Sequence, residues 1–268
     1  MISNLNIVVA QSPADLDGPQ ARLAWLKACL VGLEGKKTDL IVLPELFLTG
    51  YNIGSHVADW AESADGSSAQ AIAELARKHS VAIHYGFPER DNGVLFNSAS
   101  CIGKDGTLLA THRKLLLPPG FEGDHFSPGK RYTLFEIDGV KAATLICYDA
   151  EFPETFREVA KAGAEIILVP TALGAQWGVV ANTVIPARAF ENGVYVCYAN
   201  SCGHENGMDY FGGSCVIAPD GQELARAGSG EELLTATVAH DPVIAAQQRL
   251  PYLTDRQKLP CPHCQSGH

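Results

Sequence analysis

Three residues with side chains suited to catalysis stand at the ends of apolar segments. Glu45 follows Ile41-Val42-Leu43-Pro44, Lys114 precedes three leucines and a proline, and Cys147 ends the segment Leu145-Ile146. A carboxylate buried at the mouth of a strand has a raised pKa, which suits a proton acceptor near neutral pH. A fixed positive charge favours the thiolate form of a nearby cysteine. A base, a cation and a nucleophilic thiol are therefore all present as candidates.

Each of the three residues also has a purely structural interpretation. Glu45 could cap a helix or form an ion pair in a loop, Lys114 could be exposed at a strand end, and Cys147 could be a buried structural thiol. The setting of Cys147 favours reactivity, because a strand, a tight connection and a helix beginning near Pro153 present a side chain at the top of a sheet. Taken singly, the motifs for Glu45 and Lys114 leave both interpretations open.

The order and spacing of the three motifs resemble the Glu–Lys–Cys signature of the nitrilase superfamily of carbon–nitrogen hydrolases. The separations are 69 residues from Glu45 to Lys114 and 33 residues from Lys114 to Cys147. The resemblance runs from about residue 6 to residue 255. It is carried by the motifs Leu43-Pro44-Glu45, Arg113-Lys114, Cys147-Tyr148-Asp149 and Phe152-Pro153-Glu154.

The resemblance implies a chemical role for each motif. Cys147 would attack a carboxamide carbon after giving its proton to Glu45, and Lys114 with the backbone N–H of Tyr148 would stabilise the oxyanion. The family also uses a second glutamate, which matches Glu122 and would position the substrate amide. Asp124 competes for that assignment, since it lies two residues further on. The resemblance implies neither a metal nor an organic cofactor.

Further motifs indicate the branch of the superfamily and the substrate-binding residues. Segments 169–173, 186–192, 198–200 and 251–256 are similar to amidases, the first and last to the R-stereoselective amidase-like group. The expected function is therefore hydrolysis of a small carboxamide. An N-carbamoyl amine hydrolase, a nitrilase, or a non-catalytic or thiol-redox protein on the same fold are the alternatives. The candidate substrate-binding residues are Tyr51, Tyr148, Thr171, Ala172 and Trp177, with ordinary packing as the other interpretation of Tyr51 and Trp177.

Short apolar segments alternate with amphipathic ones along the chain, which predicts an α/β fold in which helices cover the sheets. Strands are predicted at Leu5–Ala10, Leu40–Leu43, Val81–Phe87, Ala142–Ile146, Glu165–Val169, Val194–Ala199 and Ser214–Ile217. Helices are predicted at Gln20–Leu33, Ala69–His79 and Pro153–Ala162. The turn residues at 104–106 and 219–221 predict two hairpins, so the sheets should be mixed. Family resemblance implies a four-layer αββα sandwich.

Composition restricts the domain organisation and the partners. The 268 residues are 46% hydrophobic and carry a net charge of −10. This charge argues against a nucleic-acid partner, and no segment predicts a membrane span or a signal peptide. We expect one domain over 1–268, with a core over about 5–240 and a less regular C-terminal extension over about 241–268.

The eight cysteines predict a reducing, cytoplasmic compartment, because their spacing does not suggest a disulfide scaffold. Cys261 and Cys264 form a lone CxxC pair, which is weak grounds for a metal site. The resemblance also implies a homodimer or higher homo-oligomer, formed through the helices at Pro153–Ala162 and at about 181–192. Because Pro186 lies within the second segment, a kink or a late helix start is expected there.

Overall fold

Two six-stranded sheets form the centre of the computed structural model, which describes residues 4–260. The strands are β1 (Leu5–Gln11), β2 (Leu40–Val42), β3 (Ala82–Asp91), β4 (Val94–Ile102), β5 (Leu108–Arg113), β6 (Thr133–Ile137), β7 (Val140–Thr144), β8 (Ile166–Pro170), β9 (Tyr195–Ala199), β10 (His204–Glu205), β11 (Met208–Asp209), β12 (Cys215–Ile217), β13 (Glu223–Arg226) and β14 (Glu232–Val238). The α-helices are α1 (Gly18–Gly32), α2 (His56–Trp60), α3 (Ser67–His79), α4 (Phe121–His125), α5 (Pro153–Lys161), α6 (Ile185–Asn192), α7 (His240–Arg249) and α8 (Tyr252–Asp255). Short 3-10 helices cover Cys147–Glu151, Ala175–Trp177 and Arg256–Lys258, and a π-helix covers Val180–Val184.

Each sheet has a parallel centre and antiparallel edges. The first sheet has the order β14-β1-β2-β3-β4-β5, with β1, β2 and β3 parallel. The second has the order β13-β12-β9-β8-β7-β6, with β7, β8 and β9 parallel. The predicted hairpins join β4 to β5 and β12 to β13, so the expectation of mixed sheets is confirmed. β10 and β11 form a separate two-stranded sheet.

Three apolar clusters separate four layers. Alternate residues of a strand point to opposite faces of the sheet, and β1 divides its side chains accordingly. Ile7 and Val9 belong to the cluster between the two sheets, whereas Val8 and Ala10 pack with residues of α1 and α3. A third cluster packs α5 and α6 on the outer face of the second sheet. The layers are helix, sheet, sheet and helix, which confirms the predicted αββα sandwich.

The structure differs from two expectations about the helical segments. The helix does not start late, because helical turns begin at residue 178 and run through the π-helix at Val180–Val184 into α6; the irregularity before Pro186 is this π-helix. The expectation of less regular structure after residue 240 is wrong for the residues up to 258. α7 follows β14 directly and buries Val243 in the cluster between the sheets, so an apolar anchor makes this segment part of the fold. Within 4–260, no helix is long and apolar enough to cross a membrane.

Candidate active site

Glu45 is placed by a tight approach between two segments of the first sheet. The chain turns directly after β2, and the carbonyl of Pro44 accepts a hydrogen bond from the N–H of Gly86 in β3. A Cβ at Gly86 would lie 2.6 Å from that carbonyl oxygen and 2.8 Å from the Cα of Glu45. Only glycine therefore allows this approach, which holds Glu45 at the strand end with 2% of its surface exposed.

Lys114 follows β5 and lies between two glutamates in the protein interior. Its Nζ is 2.7 Å from Oε1 of Glu45 and 2.6 Å from Oε1 of Glu122 in α4. All three side chains are buried. The structure therefore brings these three predicted residues together, and the interpretation of Lys114 as exposed is wrong. Asp124, the competing candidate for the second glutamate, is exposed.

Asn97 and Tyr51 complete this network. Nδ2 of Asn97 in β4 donates to Oε1 of Glu45 at 2.7 Å and to Oε2 of Glu122 at 3.0 Å. The hydroxyl of Tyr51 donates to Oε1 of Glu122 at 2.8 Å. Oε2 of Glu45, in contrast, accepts no hydrogen bond from residues 4–260. One carboxylate oxygen of the site therefore remains free to receive a proton.

Burial and neighbouring charges set the protonation of the site. Burial raises the pKa of Glu45 to about 7, with the charge of Glu122 adding to the shift and Lys114 opposing it. Burial alone lowers the pKa of Lys114, but Glu45, Cys147 and Glu122 reverse that effect and hold it above its ordinary value. Burial, followed by the charge of Glu45, raises the pKa of Cys147. A raised pKa favours the thiol form of Cys147, which needs a base to become a nucleophile.

Cys147 begins the 3-10 helix that follows β7, and its backbone has the left-handed conformation, with φ of 45°. This conformation is uncommon for a residue with a side chain and is found at functional sites. The buried carboxylate of Asp149 holds the turn. It accepts hydrogen bonds from the backbone N–H groups of Ile146 at 3.1 Å, Leu115 at 3.1 Å and Leu116 at 2.8 Å. Asp149 thus ties the cysteine turn to the segment that follows Lys114.

A cavity of about 460 Å³ opens onto Cys147. Of the predicted substrate-binding residues, four line it: Tyr51, Tyr148, Ala172 and Trp177. Thr171 does not, because it is fully buried behind the cysteine, where its hydroxyl lies 3.1 Å from that of Tyr198. Further lining residues, which the sequence did not reveal, include Pro118, Glu151, Leu173, Gln176, Val180 and Met208.

Residues 4–260 contain no group of three or more His, Cys, Asp or Glu side chains that could hold a metal ion. Cys261 and Cys264, the weak metal candidate, lie outside the described residues. The six cysteines that the structure describes are all free thiols.

Comparison with known proteins agrees with this geometry. A family model described as carbon–nitrogen hydrolase matches residues 9–248. The chain is 44% identical to a protein from Pseudomonas protegens named "Hydrolase in pqqF 5'region", over 91% of this chain and 85% of that protein. It is 37% identical to an (R)-stereoselective amidase from a Pseudomonas species, over 83% of this chain and 81% of that amidase.

A solved structure extends the agreement to the fold. A variant of the amidase from Nesterenkonia sp. AN1 is similar with a TM-score of 0.82 and 30% identity, covering 95% of this chain and 97% of that one. In that structure the acetamide moiety of fluoroacetamide is added covalently at the active site cysteine. From the matching family model, the relatives and the shared fold, we conclude that this chain belongs to the carbon–nitrogen hydrolase family and is an enzyme of the nitrilase superfamily.

Proposed function

We propose that this enzyme hydrolyses a small linear carboxamide to the carboxylic acid and ammonia through a thioester on Cys147. The observation that carries the proposal is the buried network in which Lys114 bonds to both Glu45 and Glu122, beside the cavity that Cys147 lines. The covalent adduct at the active site cysteine of the Nesterenkonia amidase supports a nucleophilic cysteine.

In the first step, Sγ of Cys147 attacks the carboxamide carbon and its proton passes to Oε2 of Glu45, the free oxygen of that carboxylate. Negative charge then develops on the carbonyl oxygen. Lys114 has three N–H donors, two of which are directed at Glu45 and Glu122, so one remains for the oxyanion. The backbone N–H of Tyr148 provides the second donor.

In the second step, the C–N bond breaks and Glu45 returns its proton to the leaving ammonia, which leaves a thioester on Cys147. A water molecule then attacks the thioester carbon while Glu45 accepts one of its protons. The C–S bond breaks, the acid leaves, and the proton returns to the sulfur. Glu122 keeps Lys114 and Glu45 in register, since it bonds to Lys114 directly and shares Asn97 with Glu45.

An ammonia-release screen tests the proposal, with simple carboxamides, both enantiomers of chiral amides, nitriles and N-carbamoyl amines as substrates. Cys147→Ala should abolish turnover, whereas the control Cys29→Ala, at a free thiol in α1, should retain it. For Cys147→Ser or a slow amide, mass spectrometry should detect an acyl adduct at position 147.

Undiminished turnover by Cys147→Ala would refute the proposal. Turnover of nitriles or N-carbamoyl amines without any turnover of carboxamides would replace the carboxamide reaction by one of these alternatives, on the same residues. The homo-oligomer and the cytoplasmic compartment stay predictions, which gel filtration and cell fractionation would check.

A further inference from the structure

The charges on the wall of the cavity have one sign. Its lining includes the carboxylates of Glu122 and Glu151, and none of the described residues that line it is Arg, Lys or His. Lys114, the cation of the site, is fully buried and directs donors at Glu45 and Glu122. An anionic group of a substrate would therefore meet carboxylates without a cation on the wall to pair with it.

Glu151 differs from the other carboxylates of the site because its side chain has no hydrogen bond or ion pair within residues 4–260. It is partly buried, and burial raises the pKa of its carboxyl while the charge of Lys114 opposes the shift. Nη2 of Arg188 donates to the backbone carbonyl of Glu151 at 2.8 Å, whereas Nη1 binds the carboxylate of Glu191 at 2.9 Å. The backbone of Glu151 is thus anchored, and its carboxylate remains available to a ligand.

The position of Glu151 suits contact with a substrate held on Cys147. The two residues are the first and last of one 3-10 helix, four positions apart. At a rise of about 2 Å per residue, their backbones are separated by roughly 8 Å. Both residues line the same cavity, so a small acyl group bound to the sulfur would lie within reach of Glu151.

Aromatic rings line the cavity beside these carboxylates. Tyr51 and Tyr148 form part of the wall, and Trp177 lies on it with 57% of its surface exposed. The faces of aromatic rings attract cations, and this attraction adds to that of a carboxylate when an ammonium group is desolvated. Carboxylates and aromatic rings, with no cation among the described residues that line the cavity, together form a suitable site for a protonated amine.

We propose that this cavity selects carboxamides that carry a protonated amine, and that Glu151 binds the ammonium group. The inference rests on the proposed amidase function and specifies its substrate class as amino amides. Neutral amides of the same length are weaker substrates, and amides with a carboxylate in place of the amine are the poorest. Glu151 acts as a specificity-determining residue and takes no part in the transfer of protons at Cys147.

Isosteric amides test the charge preference directly. Each of three series has an isosteric cationic and neutral amide and an anionic amide with a carboxylate in place of the ammonium group. The series are glycinamide, propionamide and malonamate; β-alaninamide, butyramide and succinamate; and 4-aminobutanamide, pentanamide and glutaramate. Assays at about pH 7 keep the amines protonated, since a typical α-amino pKa is about 7.7–8.0. In at least one series, kcat/KM should be about tenfold or more higher for the cationic amide than for the neutral one, a difference of about 1.4 kcal/mol.

Substitutions at position 151 connect this preference to the carboxylate. Glu151→Gln should lower the cationic-to-neutral ratio of kcat/KM about tenfold, and Glu151→Lys should favour the anionic amide. The matched control Glu154→Gln, at an exposed glutamate in the first turn of α5, should keep the wild-type ratio. The bond from Arg188 to the carbonyl of residue 151 does not depend on the side chain, and thermal melting verifies that each variant is folded.

The outcomes distinguish a failure of the charge preference from a failure of the proposed amidase function. If the wild-type enzyme hydrolyses the neutral amides but the three charge types differ by less than about threefold, the charge preference is refuted and the amidase function stands. If the cationic-to-neutral ratio of kcat/KM is unchanged in Glu151→Gln, Glu151 does not determine the preference. If the wild-type enzyme hydrolyses none of the nine amides but releases ammonia from other carboxamides of the screen, the inference is refuted and the amidase function stands; if it hydrolyses no carboxamide at all, both fail.

Discussion

Asp149→Asn should weaken both the fold and the catalytic site, because the carboxylate of Asp149 is fully buried and serves two segments. Oδ1 accepts from the N–H groups of Leu115 and Leu116, and Oδ2 accepts from the N–H of Ile146. Asparagine keeps the shape but replaces one acceptor oxygen by an NH₂ donor. At least one backbone N–H then loses its acceptor, and the other bonds lose their charge. We expect a loss of about 2–4 kcal/mol in the free energy of unfolding.

Urea unfolding measures this loss, and kcat on a carboxamide measures the effect on catalysis. We expect kcat to fall about tenfold or more, because Asp149 fixes Lys114 relative to the turn of Cys147. Asp124→Asn is the matched control, since Asp124 is exposed and should tolerate the change within about 0.5 kcal/mol. A loss below about 1 kcal/mol for Asp149→Asn, together with kcat within twofold of wild type, would show that Asp149 does not hold the two segments together.

Two further predictions concern the network around Lys114. Because burial raises the pKa of Glu45 to about 7, kcat/KM should fall as the pH is lowered through about 7, since a protonated carboxyl cannot accept the thiol proton. A flat profile between about pH 5 and pH 8 would contradict the role of Glu45 as the base. Tyr51→Phe removes the 2.8 Å hydrogen bond to Glu122 and should lower kcat/KM roughly tenfold. Steady-state kinetics checks this value, and an unchanged kcat/KM would mean that the bond does not contribute to catalysis.

Local patterns in the sequence predicted the central strands and an α/β fold, whereas the four layers were implied by the family resemblance. A strand buried on both faces is apolar throughout, and a proline in the first turn marks the start of a helix, as at Pro153. β14 has no such local signal. Only Leu234 and Val238 of its seven residues are buried, and it becomes the edge strand of the first sheet only by pairing with β1, more than 220 positions earlier in the chain.

The supporting residues of the site could not be predicted for the same reason. Asn97 lies in β4, in a strand pattern that contains several small and polar residues. Its role depends on the pairing of β4 with β5, which carries Lys114 to its side, where the N–H of Lys114 donates to the carbonyl of Asn97. Asp149 was visible within the cysteine motif, but two of its donors belong to the segment after Lys114. A local pattern identifies a chemical group, whereas its partners depend on tertiary pairing.

The hydrogen bonds also explain why two buried glutamates beside one lysine should have different roles. Both oxygens of Glu122 are occupied, Oε1 by Tyr51 and Lys114 and Oε2 by Asn97. Of the four lone pairs of this carboxylate, three therefore accept hydrogen bonds, and the fourth lies on Oε2 beside the amide of Asn97. Glu45 gathers its two donors on Oε1 and leaves Oε2 without one in the described chain. Because Glu45 has one oxygen without any donor in the described chain, whereas each oxygen of Glu122 already accepts at least one hydrogen bond, we expect Glu45 to be the base and Glu122 to hold Lys114.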